Sequence, residues 1–140
     1  FRLTELLDMK TEQVDLEQRI FKGGIKTAAG KGRIVPIHPR IYPFVENWAM
    51  QGHKYLILFD GIKIKPRSYY SRWKEVMRRI GASDKTPHEA RHTFETMLDN
   101  AQGNRKCIDM LMGHKSRDIG NRVYNHKTLD QLRETILLLK

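Results

Sequence analysis

The stretch TPHEARHTFE, Thr86 to Glu95, constrains the fold most because it specifies where a helix must begin. Thr86 suits the N-cap position, Pro87 suits the first helical position, and Glu89 follows Thr86 by three residues. A T-x-x-E pattern of this kind is a capping box, in which each side chain binds the other residue's backbone N–H. The pattern therefore predicts a helix that starts at Pro87.

Periodic patterns on both sides of this helix predict a mixed α+β domain. The runs RIFKG and GRIVPI are β-prone and flank a turn with glycines, which predicts a small antiparallel sheet. Residues 1–8 resemble the end of a helix, and YLILF is predicted to be a buried strand or core segment. Apolar stripes at helical spacing predict further helices around 41–48, 69–80, 90–101, 108–112 and 129–139.

One of these stripes permits two interpretations. Tyr69 and Trp73, with Val76, Met77 and Ile80, could stack on nucleic-acid bases. Aromatic residues at helical spacing more often pack into a core, so we expect core packing here.

The charge balance indicates the class of partner. Lys and Arg total 26 against 16 Asp and Glu, a net charge of +10, which favours a polyanion such as nucleic acid. No apolar run approaches the ~20 residues that a membrane-spanning helix needs. The single Cys107 excludes an internal disulfide and favours a reducing, intracellular setting.

The letters HEARH match two motifs with different chemistry. H-E-x-x-H is a zinc-protease signature in which the Glu activates water. Glu89 already has a capping role, and the extended zinc motif fails because Glu95 occupies its glycine position. The alternative is H-x-x-R, which places His88 and Arg91 on one face of the first turn, where free backbone N–H groups attract phosphate. The basic composition favours this second interpretation.

Further boxes stand in order around H-x-x-R. FRLTEL holds an Arg with a Glu three residues later, GIKTAAGKGRIVPI holds turn lysines, LMGH ends an apolar helix, and VYNHKT holds a tyrosine. Arg, Lys, H-x-x-R, G-H and Tyr in this order resemble the catalytic boxes of the tyrosine recombinases, the phage integrase family. The resemblance covers nearly the whole chain. Glu89, Ala90 and Met112 differ from the residues usual in the family, and none of them carries a catalytic atom.

The resemblance implies a largely helical fold like that of other DNA breaking-rejoining enzymes, and a site-specific recombinase or integrase activity. The catalytic residues it implies are Arg2, Lys26, His88, Arg91, His114 and Tyr124. Tyr124 would be the nucleophile that forms a 3′-phosphotyrosyl bond. Lys26 would protonate the leaving 5′-oxygen, and Lys31 is a competing assignment for that lysine. Further DNA contacts are expected from three basic residues beside the boxes, Lys31, Arg33 and Lys115.

In the implied reaction, two arginines hold the non-bridging phosphate oxygens, where negative charge grows in the transition state. Arg2 and Arg91 fill this role, His114 hydrogen-bonds a phosphate oxygen, and His88 assists proton transfer from the tyrosine. The resemblance implies neither a metal nor another cofactor.

The resemblance also implies double-stranded DNA as partner, a homotetramer on paired DNA sites, the bacterial cytoplasm and its nucleoid, and the integration or excision of a mobile element. Residues 1–140 are expected to form the catalytic domain of a longer chain whose N-terminal DNA-binding domain is absent. The C-terminal stripe either packs within the chain or docks on a neighbouring protomer. A type IB topoisomerase and a non-catalytic DNA-binding module remain as alternative functions.

Overall fold

A computed structural model describes residues 1–24, 32–114 and 128–140 of the chain. This part combines helices with two small antiparallel sheets. The helices are α1 (Leu3–Leu7), a 3-10 turn (Thr11–Gln13), α2 (Tyr42–Met50), α3 (Pro66–Arg79), α4 (Pro87–Asn100), α5 (Arg105–Met112) and α6 (Leu129–Ile136). The strands are β1 (Val14–Asp15), β2 (Ile20–Gly23), β3 (Arg33–Pro36), β4 (Leu58–Phe59) and β5 (Ile62–Lys63). The predicted α+β class is confirmed.

The main sheet is antiparallel, with strand order β1-β2-β3. The predicted runs RIFKG and GRIVPI form β2 and β3, and Phe21 pairs with Val35 at the centre of their register. Both of these side chains are buried, so one face of the hairpin contributes to the core. The two-residue strand β1 was not predicted. A second hairpin joins β4 to β5.

The core lies between β2, β3 and the last two helices. α5 and α6 pack against each other and against β3, and α4 packs against α5. The most buried apolar side chains of this core include Leu98, Cys107, Ile108, Leu111, Met112, Leu132 and Ile136. The helix that carries H-x-x-R is therefore anchored to the core through its own last turns.

The start of α4 agrees with the capping-box prediction. The backbone N–H of Glu89 donates to Thr86 Oγ1 at 3.3 Å, and the backbone N–H of Thr86 donates to Glu89 Oε2 at 2.7 Å. Pro87 occupies the first turn, as expected for a residue without an N–H. The capping box therefore determines where His88 and Arg91 lie on the helix.

A tight turn connects α4 to α5. The Gly103 N–H donates to the carbonyl of Leu98 at 2.8 Å, and a Cβ at position 103 would lie 2.9 Å from that same oxygen. Only glycine fits this close approach. Asn104 then caps α5, and Gly113 ends it with a φ of 66°. Because α5 begins and ends at these turns, His114 lies beside α4.

The C-terminal stripe packs mostly within the chain. Leu132 and Ile136 are buried, and Leu139 packs against the core. The Nε2 atom of His38 donates to the carbonyl of Leu139 at 3.1 Å. Leu137 and Leu138 stay exposed.

Two predictions about local structure were confirmed in part, and one was wrong. Residues 1–8 contain the end of a helix as predicted, and α1 also begins there, with Arg2 as its N-cap. YLILF is a core segment, since Leu56 is buried, and only its last two residues form a strand. The core packing expected for the stripe at 69–80 is not observed. No side chain of α3 is buried, because this helix lies at the edge of the molecule against α1. Its Tyr69 and Trp73 rings stack on each other, 6.2 Å between centroids, and Val76 is exposed.

None of the described helices is both long enough and apolar enough to cross a bilayer.

Leu98 and Met97 provide a matched pair for testing how α4 is anchored. Leu98→Ala should lower the free energy of unfolding by about 2–5 kcal/mol, because its side chain has no exposed surface and would leave a cavity. Met97→Ala should change it by about 0.5 kcal/mol or less, because Met97 is 43% exposed. Urea denaturation followed by circular dichroism measures both, and equal losses would contradict this account of the core.

Candidate active site

The H-x-x-R and G-H boxes meet at the junction of α4 and α5. The Nη2 atom of Arg91 donates to the carbonyl of Met112 and lies 3.4 Å from Nε2 of His114. The carbonyl belongs to the last turn of α5, where the helix dipole is negative. Arg91 is therefore held by the end of one helix while it projects from the start of another. His114 comes beside it because the chain turns at Gly113.

A buried carboxylate organises the arginines at the other side of the site. Glu5 lies 3.4 Å from Arg2 through Oε1 and 3.1 Å from Arg33 through Oε2. The side chains of Arg33 and Glu5 are only 4% and 2% exposed, whereas Arg2 is 29% exposed. The Arg33 guanidinium also lies over the Phe1 ring, 4.5 Å from its centroid. Of the two arginines, Arg2 is the one that solvent can reach.

The charges around Arg91 leave the site positive. Burial, followed by the positive charges of Arg2 and Arg33, lowers the pKa of the Arg91 guanidinium, and the opposing effects of Glu5 and Glu95 are smaller. Arginine stays protonated in proteins, so the group remains a cation in a region that disfavours one. Its Nη1 atom is buried and has no hydrogen-bond partner among the residues described. Such a cluster suits an anion with several oxygens.

Arg33 is one of the basic residues for which the sequence predicts a DNA contact. In the structure its side chain is buried and faces Glu5. From there Arg33 positions Glu5 and adds positive charge behind Arg91, and its DNA contact stays a prediction.

The side chain of His88 contacts another histidine of the same helix, His92. The Nε2 atoms of His88 and His92 lie 3.0 Å apart, and the rings meet edge to face with 4.6 Å between centroids. Both side chains are exposed near the start of α4. The i, i+4 spacing explains the contact, since residues four apart stack along one helix face.

Glu89 does not serve the zinc-protease interpretation of this motif. Its carboxylate accepts the Thr86 backbone N–H, and this hydrogen bond is the main cause that lowers the pKa of the Glu89 carboxyl. A general base would need that carboxylate directed at a metal-bound water. The Glu89 carboxylate instead accepts the capping hydrogen bond from Thr86.

A second group of potential metal ligands surrounds His114. Ligand atoms of Glu95, Asp109 and His114 lie within 4.8 Å of one another. Arg105 already neutralises this group, donating to Glu95 at 2.8 Å and to Asp109 at 2.9 Å. It also contacts Asp99 at 2.9 Å. A cation would have to displace this guanidinium, so the cluster is best described as an ion-pair network that borders His114 Nδ1 at 3.8 Å.

Several predicted site residues lie outside the described residues. These are Lys26, Lys31, Lys115 and Tyr124. The structure thus brings together Arg2, Arg91 and His114 of the six predicted catalytic residues, with His88 on the same helix as Arg91.

Comparison with known proteins identifies the family. The chain matches the Phage integrase family over residues 1–130. It belongs to that family. The resemblance inferred from the ordered boxes is confirmed.

Curated members of the phage integrase family are similar across most of the chain. It is 26% identical to tyrosine recombinase XerD of Vibrio cholerae serotype O1 over 145 residues, covering 95% of this chain and 47% of that protein. It is 29% identical to tyrosine recombinase XerC of Staphylococcus aureus strain JH9 over 148 residues, covering 97% of this chain and 48% of that protein. The chain spans about half the length of the curated relatives it matches.

Two solved integrases share the fold. The integrase from mycobacterium phage Brujita superposes with a TM-score of 0.75 and 26% identity, covering 100% of this chain and 47% of that one. The Tn1549 transposon integrase, solved in complex with circular intermediate DNA, gives a TM-score of 0.69 and 24% identity over 96% of this chain and 52% of that one. The similarity to the Tn1549 integrase is evidence for the fold alone.

Sequence reasoning missed how Glu5 and Arg105 act at this site. Glu5 was recognised only as a residue three positions after Arg2, and its burial depends on β3, which is distant in sequence. Arg105 contacts three carboxylates from two helices. The i, i+4 spacing to Asp109 was the only local signal for that network.

The buried Glu5–Arg33 pair provides a test of this arrangement. Arg33→Met should lower the free energy of unfolding by about 3–5 kcal/mol, because it removes the guanidinium that faces a buried carboxylate. Glu5→Gln combined with Arg33→Met should cost less than the sum of the single changes, since the two groups interact directly. Chemical denaturation measures each variant.

The exposed pair of Lys63 and Asp8 is the matched control. Lys63→Met should cost only about 0–1 kcal/mol, because exposed ion pairs contribute little. A loss for Arg33→Met no larger than this would contradict the role given to the buried pair.

Proposed function

We propose that this chain is the catalytic domain of a site-specific DNA recombinase that cleaves and rejoins DNA through a 3′-phosphotyrosyl intermediate. One observation carries the proposal. Arg2 and Arg91, which are far apart in sequence, lie close enough for the charge of Arg2 to lower the pKa of Arg91, and His114 is in contact with Arg91. Membership of the phage integrase family adds independent support.

The arginines suit the demands of phosphoryl transfer. In the transition state, negative charge grows on the non-bridging oxygens, and guanidinium groups bind such oxygens through paired hydrogen bonds. Arg2 would use the part of its side chain that solvent can reach, and Arg91 would act from its anchored position on α4. Arg33 and Glu5 stay behind them and hold their geometry.

The remaining steps are assigned by the resemblance to the family. The phenolate oxygen of Tyr124 forms a bond to phosphorus while the bond from phosphorus to the 5′-oxygen breaks. Lys26, or alternatively Lys31, gives a proton to that 5′-oxygen, and His88 accepts the proton of the phenol. A 5′-hydroxyl from a partner strand later reverses the attack and releases Tyr124. Lys115 and the turn lysines would contact the DNA backbone.

The proposed partners are double-stranded DNA and further copies of the protein. Recombination joins two DNA sites with two strands exchanged at each, so a homotetramer supplies one nucleophile per exchanged strand. Leu137 and Leu138, exposed at the end of the chain, are candidates for contact with a neighbouring protomer. Integration or excision of a mobile element, in a bacterial cytoplasm, is the proposed setting.

A nicked suicide DNA substrate that carries the recombination site tests the nucleophile. The full-length protein should form a covalent protein–DNA adduct, visible as a band of reduced mobility on a denaturing gel. Tyr124→Phe should form none, because it lacks the attacking oxygen. Tyr70→Phe, an exposed tyrosine on α3, is the control and should form the adduct.

The same assay separates transesterification from metal-dependent hydrolysis. The adduct should form equally well in EDTA, because the proposed chemistry uses arginines in place of a metal ion. Adduct formation by Tyr124→Phe, or a requirement for added metal, would contradict the proposed mechanism.

A further inference from the structure

The proposed reaction uses His88 alone, and it assigns no role to the contact between His88 and His92. Their Nε2 atoms lie 3.0 Å apart, and both side chains are exposed on one face of α4. Two nitrogens bound to one ion at 2.0–2.1 Å are separated by about 2.9 Å at a right angle and by about 3.3 Å at the tetrahedral angle. The observed separation falls between these two values.

The protein backbone holds this pair in place. Both residues lie in the first two turns of a 14-residue helix whose start is fixed by the Thr86–Glu89 capping box. One Nε2–H donates to the other Nε2 in this arrangement, and a bound ion would replace that hydrogen bond once the edge-to-face rings rotate to direct both nitrogens at one point. Each imidazole would then carry its proton on Nδ1, as histidine ligands do.

We propose that His88 and His92 form a binding site for a divalent transition-metal ion, such as Zn²⁺ or Ni²⁺, and that an ion bound there blocks DNA cleavage. Imidazole is a preferred ligand of these metals, and water fills the remaining coordination positions. The inhibitory part rests on the proposed function, since it depends on His88 acting in proton transfer. A metal on Nε2 takes the lone pair that would accept the proton.

Two features explain why such an ion would inhibit DNA cleavage and would not itself catalyse hydrolysis through a metal-bound water. Glu89, the residue that would activate a metal-bound water, is held by the Thr86 N–H. Within the described residues, the only group of three or more His, Cys, Asp or Glu ligands around one point is Glu95, Asp109 and His114, so no described side chain of these types adds a third ligand at His88 and His92. The site binds a metal reversibly through two imidazoles.

Isothermal titration calorimetry of the full-length protein with ZnCl₂ tests the binding. Wild-type protein should show a site that His92→Gln and His88→Gln each remove. His53→Gln changes an exposed histidine elsewhere and should retain it. Asp109→Asn should also retain it, which separates this site from the cluster around His114. Equal binding by wild type and His92→Gln, or loss of the site in Asp109→Asn, would overturn the proposal.

Cleavage of the suicide substrate tests the inhibition, with each variant compared with its own metal-free rate. Saturating Zn²⁺ should slow wild type and His53→Gln by roughly 10²-fold or more, the usual contribution of a positioned proton acceptor. His92→Gln should not respond to Zn²⁺. Binding without inhibition would overturn the inhibitory role alone, and no cleavage in any metal-free sample would count against the proposed function while the calorimetry still decides the metal site.

Discussion

The buried ion pair between Glu5 and Arg33 is the contact on which the candidate site depends. It joins α1 to β3, two elements that are separated by 28 positions in the chain. A buried ion pair contributes little net stability, because removing two charges from water costs about as much as their attraction returns. The Glu5–Arg33 pair instead fixes the position of the groups around it. The same carboxylate contacts Arg2, so the sheet determines where the guanidinium of the first helix can lie.

The second constraint is the way α4 and α5 meet. The start of α4 is the positive end of its dipole, and the end of α5 is the negative end of another. Arg91 bridges the two by donating to the carbonyl of Met112. This contact compensates part of its charge and leaves the rest for an anion. The close approach at Gly103 keeps both helices in the register that this bridge needs.

The sequence predicted those parts of the molecule that depend on local chemistry. The capping box of α4, the end of α5 at the LMGH box and the β2–β3 hairpin all follow from residues within a few positions of one another. The ordered boxes also predicted that Arg91 and His114 act together. The features that the sequence did not predict depend on contacts between distant elements. The stripe on α3 has core-like spacing, yet its burial depends on what packs against it. The burial of Arg33 likewise depends on Glu5, which lies 28 positions away in the chain.

The contact between Glu5 and Arg33 has a consequence for when the arginine cluster can exist. Glu5 lies on α1 and Arg33 lies on β3, so their ion pair forms only once these distant segments have come together. A partly unfolded chain would carry every side chain of the cluster and still lack its arrangement.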